Sequence, residues 1–223
     1  MSRIAIIAAL PGELAPLVRG WEKRERNVWA GRLGEHACIA IAGGIGQEAA
    51  TRACELALRE GDVRVLVSAG WAGSLSCGMK PRQAVAAYEV IDAGTGERFV
   101  ADYPEGYKLV TLDHVAGVEE KRQLAAEHQA VMVDMEAAAV ARVAQQRNIS
   151  FYCFKGISDG SNDVLPDFSR FIGQDGQMRM APFLAYVAFR PRYWAALKRL
   201  GENSKGAASL LESLITEGLK RAL

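Results

Sequence analysis

The chain has 223 residues, 50% of them apolar and 24% charged, and 27 Lys and Arg against 26 Asp and Glu leave a net charge of +1. That balance excludes a mainly disordered chain and leaves no global basic field for nucleic acid. A chain of this size builds one extended core without disulfides or metals, and no apolar run approaches the roughly 20 residues of a membrane span.

The apolar run 4–9 follows one early Arg, and Glu13 comes soon after it. It reads as a strand and not as a secretory leader. Residues 28–33 and 36–42 flank Gly34 and read as a hairpin. Residues 46–60 have helical spacing, and 63–69 form a buried strand ending in Gly70, Trp71, Ala72 and Gly73. Strands follow at 84–91 and 108–112, then a charged amphipathic helix at 118–128. A very short strand at 131–133 leads into a helix at 135–146, and 151–157 is another apolar strand. A polar loop spans 159–170. From Met178 the tail is helical, broken at Pro191 and around Gly201.

Strands alternating with helices, with continuous apolar strands, predict an α/β fold with a largely buried sheet, and the hairpin makes that sheet mixed. No linker or repeat divides the chain, so 1–223 reads as a single domain. Residues 178–223 are a helical C-terminal extension of it. Cys38, Cys54, Cys77 and Cys153 form no CxxC pair and read as buried thiols of a reducing compartment. His36, His114 and His128 have no metal-ligand spacing and read as surface or half-buried residues.

The informative feature is where acids fall. Glu13, Glu136 and Asp159 each follow closely on an apolar strand. Ligands of open α/β sheets bind outside the carboxyl ends of strands, so three carboxylates there suggest an acid/base site. Each also has a bland reading. Glu13 and Glu136 could be helix-start residues favoured by the dipole, and Asp159 a turn residue beside Gly160. Glu136, among small and apolar neighbours, needs a hydrogen-bond partner. Gly44-Ile45-Gly46-Gln47-Glu48-Ala49 has the form of a dinucleotide fingerprint but lacks its context, so a close strand-to-helix turn is favoured. Such a turn still offers backbone N–H groups to an anion or hydroxyl.

Taken together, these segments resemble the nucleoside phosphorylase superfamily, in particular its methylthioadenosine/S-adenosylhomocysteine nucleosidases. The resemblance rests on four motifs in order: 4–9 with Glu13, the turn 43–46, Val133-Asp134-Met135-Glu136-Ala137-Ala138-Ala139, and Gly156-Ile157-Ser158-Asp159. A narrower resemblance, to the hopanoid-associated phosphorylases that release adenine from adenosylhopane, rests on Leu165-Pro166-Asp167, Arg170-Phe171, Gly176, Phe189-Arg190-Pro191, Trp194 and 202–205.

The resemblance implies a nucleoside phosphorylase-like fold and cleavage of an N-glycosidic bond without metal or organic cofactor. It implies that Asp159 hydrogen-bonds or protonates the leaving purine at N7, holding or sharing a proton with its pKa raised by burial, and that Ser158 orients it. Glu136 would take the ribose hydroxyls, ionised and helped by its helix N-terminus, and Met135 would pack on the sugar. Glu13 would activate water. Val133, Trp71, Ala72, Gly73, Gly44 and Lys155 complete the implied binding set.

The sequence also departs from the family. Pro11-Gly12 replaces an acidic run before Glu13. Ser68 and Trp71 stand where the family's phosphorylases carry Arg and Ser, which favours water over phosphate as nucleophile. Lys155 replaces an Arg of many nucleosidases, keeping charge but losing the planar fork. The tail mixes Phe183, Leu184, Tyr186, Phe189, Tyr193 and Trp194 with Arg190, Arg192, Lys198 and Arg199. It suits either a lipid-facing surface or a core or dimer-interface helix, and composition alone favours the second.

The expectation is a cytoplasmic homodimer acting on a small nucleoside, with a lipid-linked substrate and peripheral membrane contact implied by the narrower resemblance. Its rivals are a phosphate-dependent phosphorylase, a nucleoside-binding protein without turnover and, ranked last, a dinucleotide-binding oxidoreductase.

Overall fold

The structure, a computed structural model, describes residues 3–166 and 168–222. The chain opens with β1 (Arg3–Ala8), α1 (Pro11–Leu14), β2 (Glu22–Glu25), β3 (Val28–Leu33) and β4 (His36–Ala42). Then come α2 (Gln47–Arg59), β5 (Val63–Ser74), β6 (Ala84–Asp92), β7 (Arg98–Val100), β8 (Tyr107–Thr111) and α3 (Val118–His128). The remainder is β9 (Met132–Asp134), α4 (Ala137–Arg147), β10 (Ser150–Asp159), α5 (Met180–Ala188) and α6 (Trp194–Ala222).

These strands form one mixed sheet flanked by helices, the α/β architecture the sequence predicts. Strands β5, β10, β6, β8 and β9 pair in a closed circuit, and β1, β4, β3 and β2 extend from β5 as an open arm. Strands β1 and β10 both pair with β5 in parallel. Their apolar runs are continuous because both faces are covered: every residue of β1 after Arg3 is buried.

On one face α2 and α4 present alanines. Ala53 lies so close to Gly43 that a Cβ there would stand 2.6 Å from its methyl. The other face carries α6, whose Ala207, Leu211, Ile215 and Leu219 are buried. A Cβ on Gly156 would meet Ala207 at 3.0 Å, so β10 and α6 pack at backbone distance.

Some boundaries differ from expectation. Helix α6 runs unbroken through Gly201, since its buried apolar stripe outweighs the roughly 1 kcal/mol cost of one helical glycine. Strand β2 is charged and exposed throughout, so no periodicity announces it. Cys38, Cys54 and Cys153 are buried, but Cys77 is exposed in the turn after β5. Residue 167, part of the narrower resemblance, lies outside the described residues.

Candidate functional site

Glu13 sits in the one-turn helix α1, which Pro11 opens. Its Oε2 accepts the N–H groups of Ala9 at 2.8 Å and Leu10 at 2.7 Å, and its Oε1 accepts that of Trp71 at 2.8 Å. The carboxylate thus ties the end of β1 to β5. Gly70 makes this approach possible: its φ is +139°, and a Cβ there would stand 2.8 Å from Glu13 Oε1. Burial pushes the Glu13 carboxyl above its ordinary 4.5, partly offset by these N–H donors and by Lys155.

Asp159 ends β10. Its Oδ1 accepts the Ser158 hydroxyl at 2.6 Å, and that hydroxyl also lies 3.3 Å from the Ala72 carbonyl. Its Oδ2 accepts the Lys121 ammonium at 2.5 Å, and the same ammonium reaches the Gly160 carbonyl at 2.9 Å. Asp159 is thus buried against an ammonium, a partner that the sequence reading did not name. Lys121 belongs to the charged amphipathic helix at 118–128, and the sequence reading did not single it out. It is 1% exposed, and nothing in the pattern of its neighbours signals this.

Glu136 arrives by an unexpected route. Strand β9 runs antiparallel to β5, and its pairing of Val133 with Gly73 brings the next residues back over the end of β5. Glu136 is the residue before α4 and not in its first turn. The helix N-terminus is served by others: Ala137 N–H donates to Asp134 Oδ2 and Ala138 N–H to the Thr111 hydroxyl. Glu136 Oε1 instead accepts the Gly46 N–H at 2.9 Å. Burial, together with Asp134 and Glu13, pushes its carboxyl up to about 8 against the opposing effects of Lys155 and the Gly46 bond. This upward shift runs against the expected ionised state held by a helix dipole, and the acceptor that the glycine turn meets is this chain's own Glu136 carboxyl.

These groups share one cavity of about 250 Å³. Glu13, Glu136, Ser158, Asp159, Trp71, Ala72, Gly73, Val133 and Met135 line it, as the sequence proposed. Two proposed residues do not. Gly44 is taken up by contact with the backbone of Gly176, and its neighbour Ile45 faces the cavity instead. Lys155 lies beneath the floor, 1% exposed, bound to Asp134 at 2.8 Å and Ser68 at 3.0 Å. Burial works to depress its ammonium, but Asp134, Cys153 and Glu136 together outweigh it and hold it above the ordinary lysine range. Ser68 is fully buried in this lower layer, so its side chain is not placed to meet a ligand.

The outer wall comes from the segment after β10 and from the tail. Leu165, Phe168, Ile172, Met178, Leu200 and Ser204 make it mostly apolar, and His114 also lines the cavity. Leu165 and Ser204 belong to the narrower resemblance, whereas Phe168, Ile172, Met178, Leu200 and His114 were not singled out, since the wall forms only when these segments fold over the strand ends. Among the described residues the buried indole Nε1 of Trp71 has no hydrogen-bond partner, and the ring covers Gly12. Among the described residues no cluster of His, Cys, Asp and Glu could hold a metal ion.

A pocket of apolar walls and a few convergent carboxyls suits a flat, partly polar organic molecule. Carboxyls in unlike environments offer separate acid and base duties.

Comparison with known proteins agrees with this architecture. A family model described as the phosphorylase superfamily matches residues 3–116 and 93–187. A search of curated proteins finds no match. Similar solved structures include the futalosine hydrolase of Helicobacter pylori, with TM-score 0.75 and 15% identity, over 99% of this chain and 98% of that one. They also include the 5′-methylthioadenosine/S-adenosylhomocysteine nucleosidase of Neisseria meningitidis in complex with methylthio-immucillin-A. It has TM-score 0.75 and 19% identity, over 99% of this chain and 100% of that one. The corresponding Streptococcus pneumoniae enzyme (S. pneumoniae) has TM-score 0.72 and 19% identity, over 98% of each chain. At these identities the likeness concerns the fold.

Proposed function

This chain belongs to the phosphorylase superfamily, and on that premise we propose that it cleaves the N-glycosidic bond of a 5′-substituted adenosine, releasing adenine. The observation that carries the reading is the convergence of Glu13, Glu136 and Asp159 on one largely apolar cavity.

Breaking the bond leaves positive charge on the ribose and negative charge on the purine. Asp159, oriented by Ser158, serves the purine at N7. Glu136, beside Met135, takes the ribose hydroxyls. Glu13, fixed by three N–H groups and raised toward a useful base, takes a proton from the attacking water. Ala72, Gly73 and Val133 flank the base. Water is the favoured nucleophile because no arginine lines the cavity among the described residues, and its lysine is engaged by Asp159.

The apolar outer wall supports a long hydrocarbon 5′ substituent, with adenosylhopane as the proposed substrate. The surface of α5 and of the turn leading into α6 supports a bilayer as its source. Met180, Leu184, Phe189 and Trp194 are each more than half exposed, near Arg190 and Arg192. Among the described residues no helix is long and apolar enough to cross a membrane, so the proposed contact is peripheral. The proposed assembly is a homodimer, testable by sedimentation velocity.

The test is chromatographic detection of adenine from methylthioadenosine, adenosine and a long-alkyl 5′-substituted adenosine, with and without phosphate. Release from the alkyl substrate regardless of phosphate is expected. Strict phosphate dependence would replace water by phosphate, and purine binding without release would make the protein a binder.

A further inference from the structure

The Asp159 carboxylate accepts a hydrogen bond on each oxygen, from Ser158 on Oδ1 and from Lys121 on Oδ2. N7 of a purine is also an acceptor. Two acceptors facing each other gain nothing until a proton lies between them. Ser158 holds its proton between Asp159 and the Ala72 carbonyl, and a serine hydroxyl is a poor acid. The Lys121 ammonium is the remaining donor on Asp159. Two acceptors engage it among the described residues, Asp159 and the Gly160 carbonyl, and an ammonium has three N–H groups. Lys121 lines the cavity while being 1% exposed. A lysine whose only duty was solubility would not be drawn from a charged helix into the sheet end.

We propose that Lys121 is the source of the proton taken up by the leaving purine, relayed through Asp159. The proposal rests on the N-glycosidic reading above. As the C1′–N9 bond breaks, its electron pair passes to the purine. Lys121 gives a proton to the Asp159 carboxylate, which passes one on to N7, so that Lys121 becomes a neutral amine and Asp159 ends as the carboxylate it began as. Water adds to C1′ and gives its proton to Glu13. After the products leave, Glu13 loses that proton to solvent and Lys121 regains one. The sum is nucleoside plus water giving free sugar plus adenine.

Lys121→Arg separates this role from simple charge pairing. A guanidinium keeps the positive charge beside Asp159 but does not give up a proton in proteins. Two kinds of substrate are compared. Methylthioadenosine needs a proton on its leaving group. The 4-nitrophenyl riboside and N7-methyladenosine do not, since one leaves as a stable phenolate and the other already carries the positive charge.

The expected result is a fall of about a hundredfold or more in kcat for adenine release, with KM within about threefold. The activated ribosides should stay within about threefold of wild type. Lys121→Met covers the case in which Arg does not fit: without the ammonium, Asp159 must draw its proton from solvent, so adenine release should fall steeply as pH rises while release from the activated ribosides stays level, and a flat pH profile for adenine release would overturn the proposal. Adenine release by Lys121→Arg at the wild-type rate would overturn the proposal, as would an equal fall on both kinds of substrate. A wild-type protein inactive on all of them would overturn the underlying reading, and the proposal with it.

Discussion

The backbone N–H of Trp71 lies 2.8 Å from Glu13 Oε1, and the Gly70 before it has no side chain to obstruct the approach. Position 70 is therefore a glycine for two reasons, its φ of +139° and the carboxylate packed against it. Gly70→Ala should displace Glu13. It should reduce adenine release at least tenfold and lower stability by about 1–3 kcal/mol, read from urea unfolding. Unchanged activity would show that Glu13 need not sit there.

Asp159→Asn keeps the shape of the side chain but leaves the buried Lys121 without its counter-charge. Loss of turnover should be accompanied by a loss of about 3 kcal/mol of stability. Activity and urea midpoint measured on one preparation check both. A fully stable variant would mean that Lys121 finds another partner.

The raised carboxyl of Glu136 makes stability depend on pH. Its ordinary value is 4.5, and burial with neighbouring carboxylates brings it to about 8 in the folded protein. Folding therefore takes up a proton between these values. The stabilising contribution is fully present below pH 4.5 and is lost as pH rises through about 8. The urea midpoint of Glu136→Gln should fall less than that of the wild type over this window. Parallel curves would refute the assignment.

The orphan indole of Trp71 allows a clean deletion. Trp71→Phe removes a buried donor that has no partner, together with part of the ring. The lost desolvation penalty of about 1–3 kcal/mol offsets most of the lost packing. Thermal unfolding should therefore shift little, where an ordinary buried Trp truncation costs more. A large drop would reveal a partner for Nε1 in solution.

The α5 surface makes a separate prediction. Leu184→Ser with Phe189→Ser should reduce binding to vesicles containing phosphatidylglycerol by at least tenfold, since each exposed apolar side chain contributes about 1 kcal/mol or more on burial in lipid. Because Leu184 is 57% and Phe189 86% exposed, folding stability should stay within about 0.5 kcal/mol. Binding that survives both changes would dismiss the bilayer contact.

What the residues disclosed in advance is what local chemistry controls. The apolar run of β1, the hairpin of β3 and β4, and Glu13, Glu136 and Asp159 in one cavity were legible because strand ends carry acids into a shared space. Lys121 was not, because a buried ammonium on a charged helix has the same neighbours in sequence as a solvated one. Lys155 was misplaced for the opposite reason. A strand residue alternates faces, and which face is the floor depends on Asp134 and Ser68, which come from other strands. The pairing of β9 with the end of β5 depends on two residues of register, and periodicity says nothing about that.

The seam between α6 and β10 has a consequence for how such a pocket changes its taste. Gly156 lies against Ala207 and Gly218 against Phe154, so strand and helix are fastened at two points. The strand bears Asp159, and the helix bears Leu200 and Ser204 of the outer wall. The part of the wall that α6 supplies therefore cannot swing without dragging the Asp159 carboxylate along. New substrates would be admitted by exchanging side chains at 200 and 204 on an immobile frame, so that selectivity can drift through single substitutions while the bond-breaking geometry stays inherited.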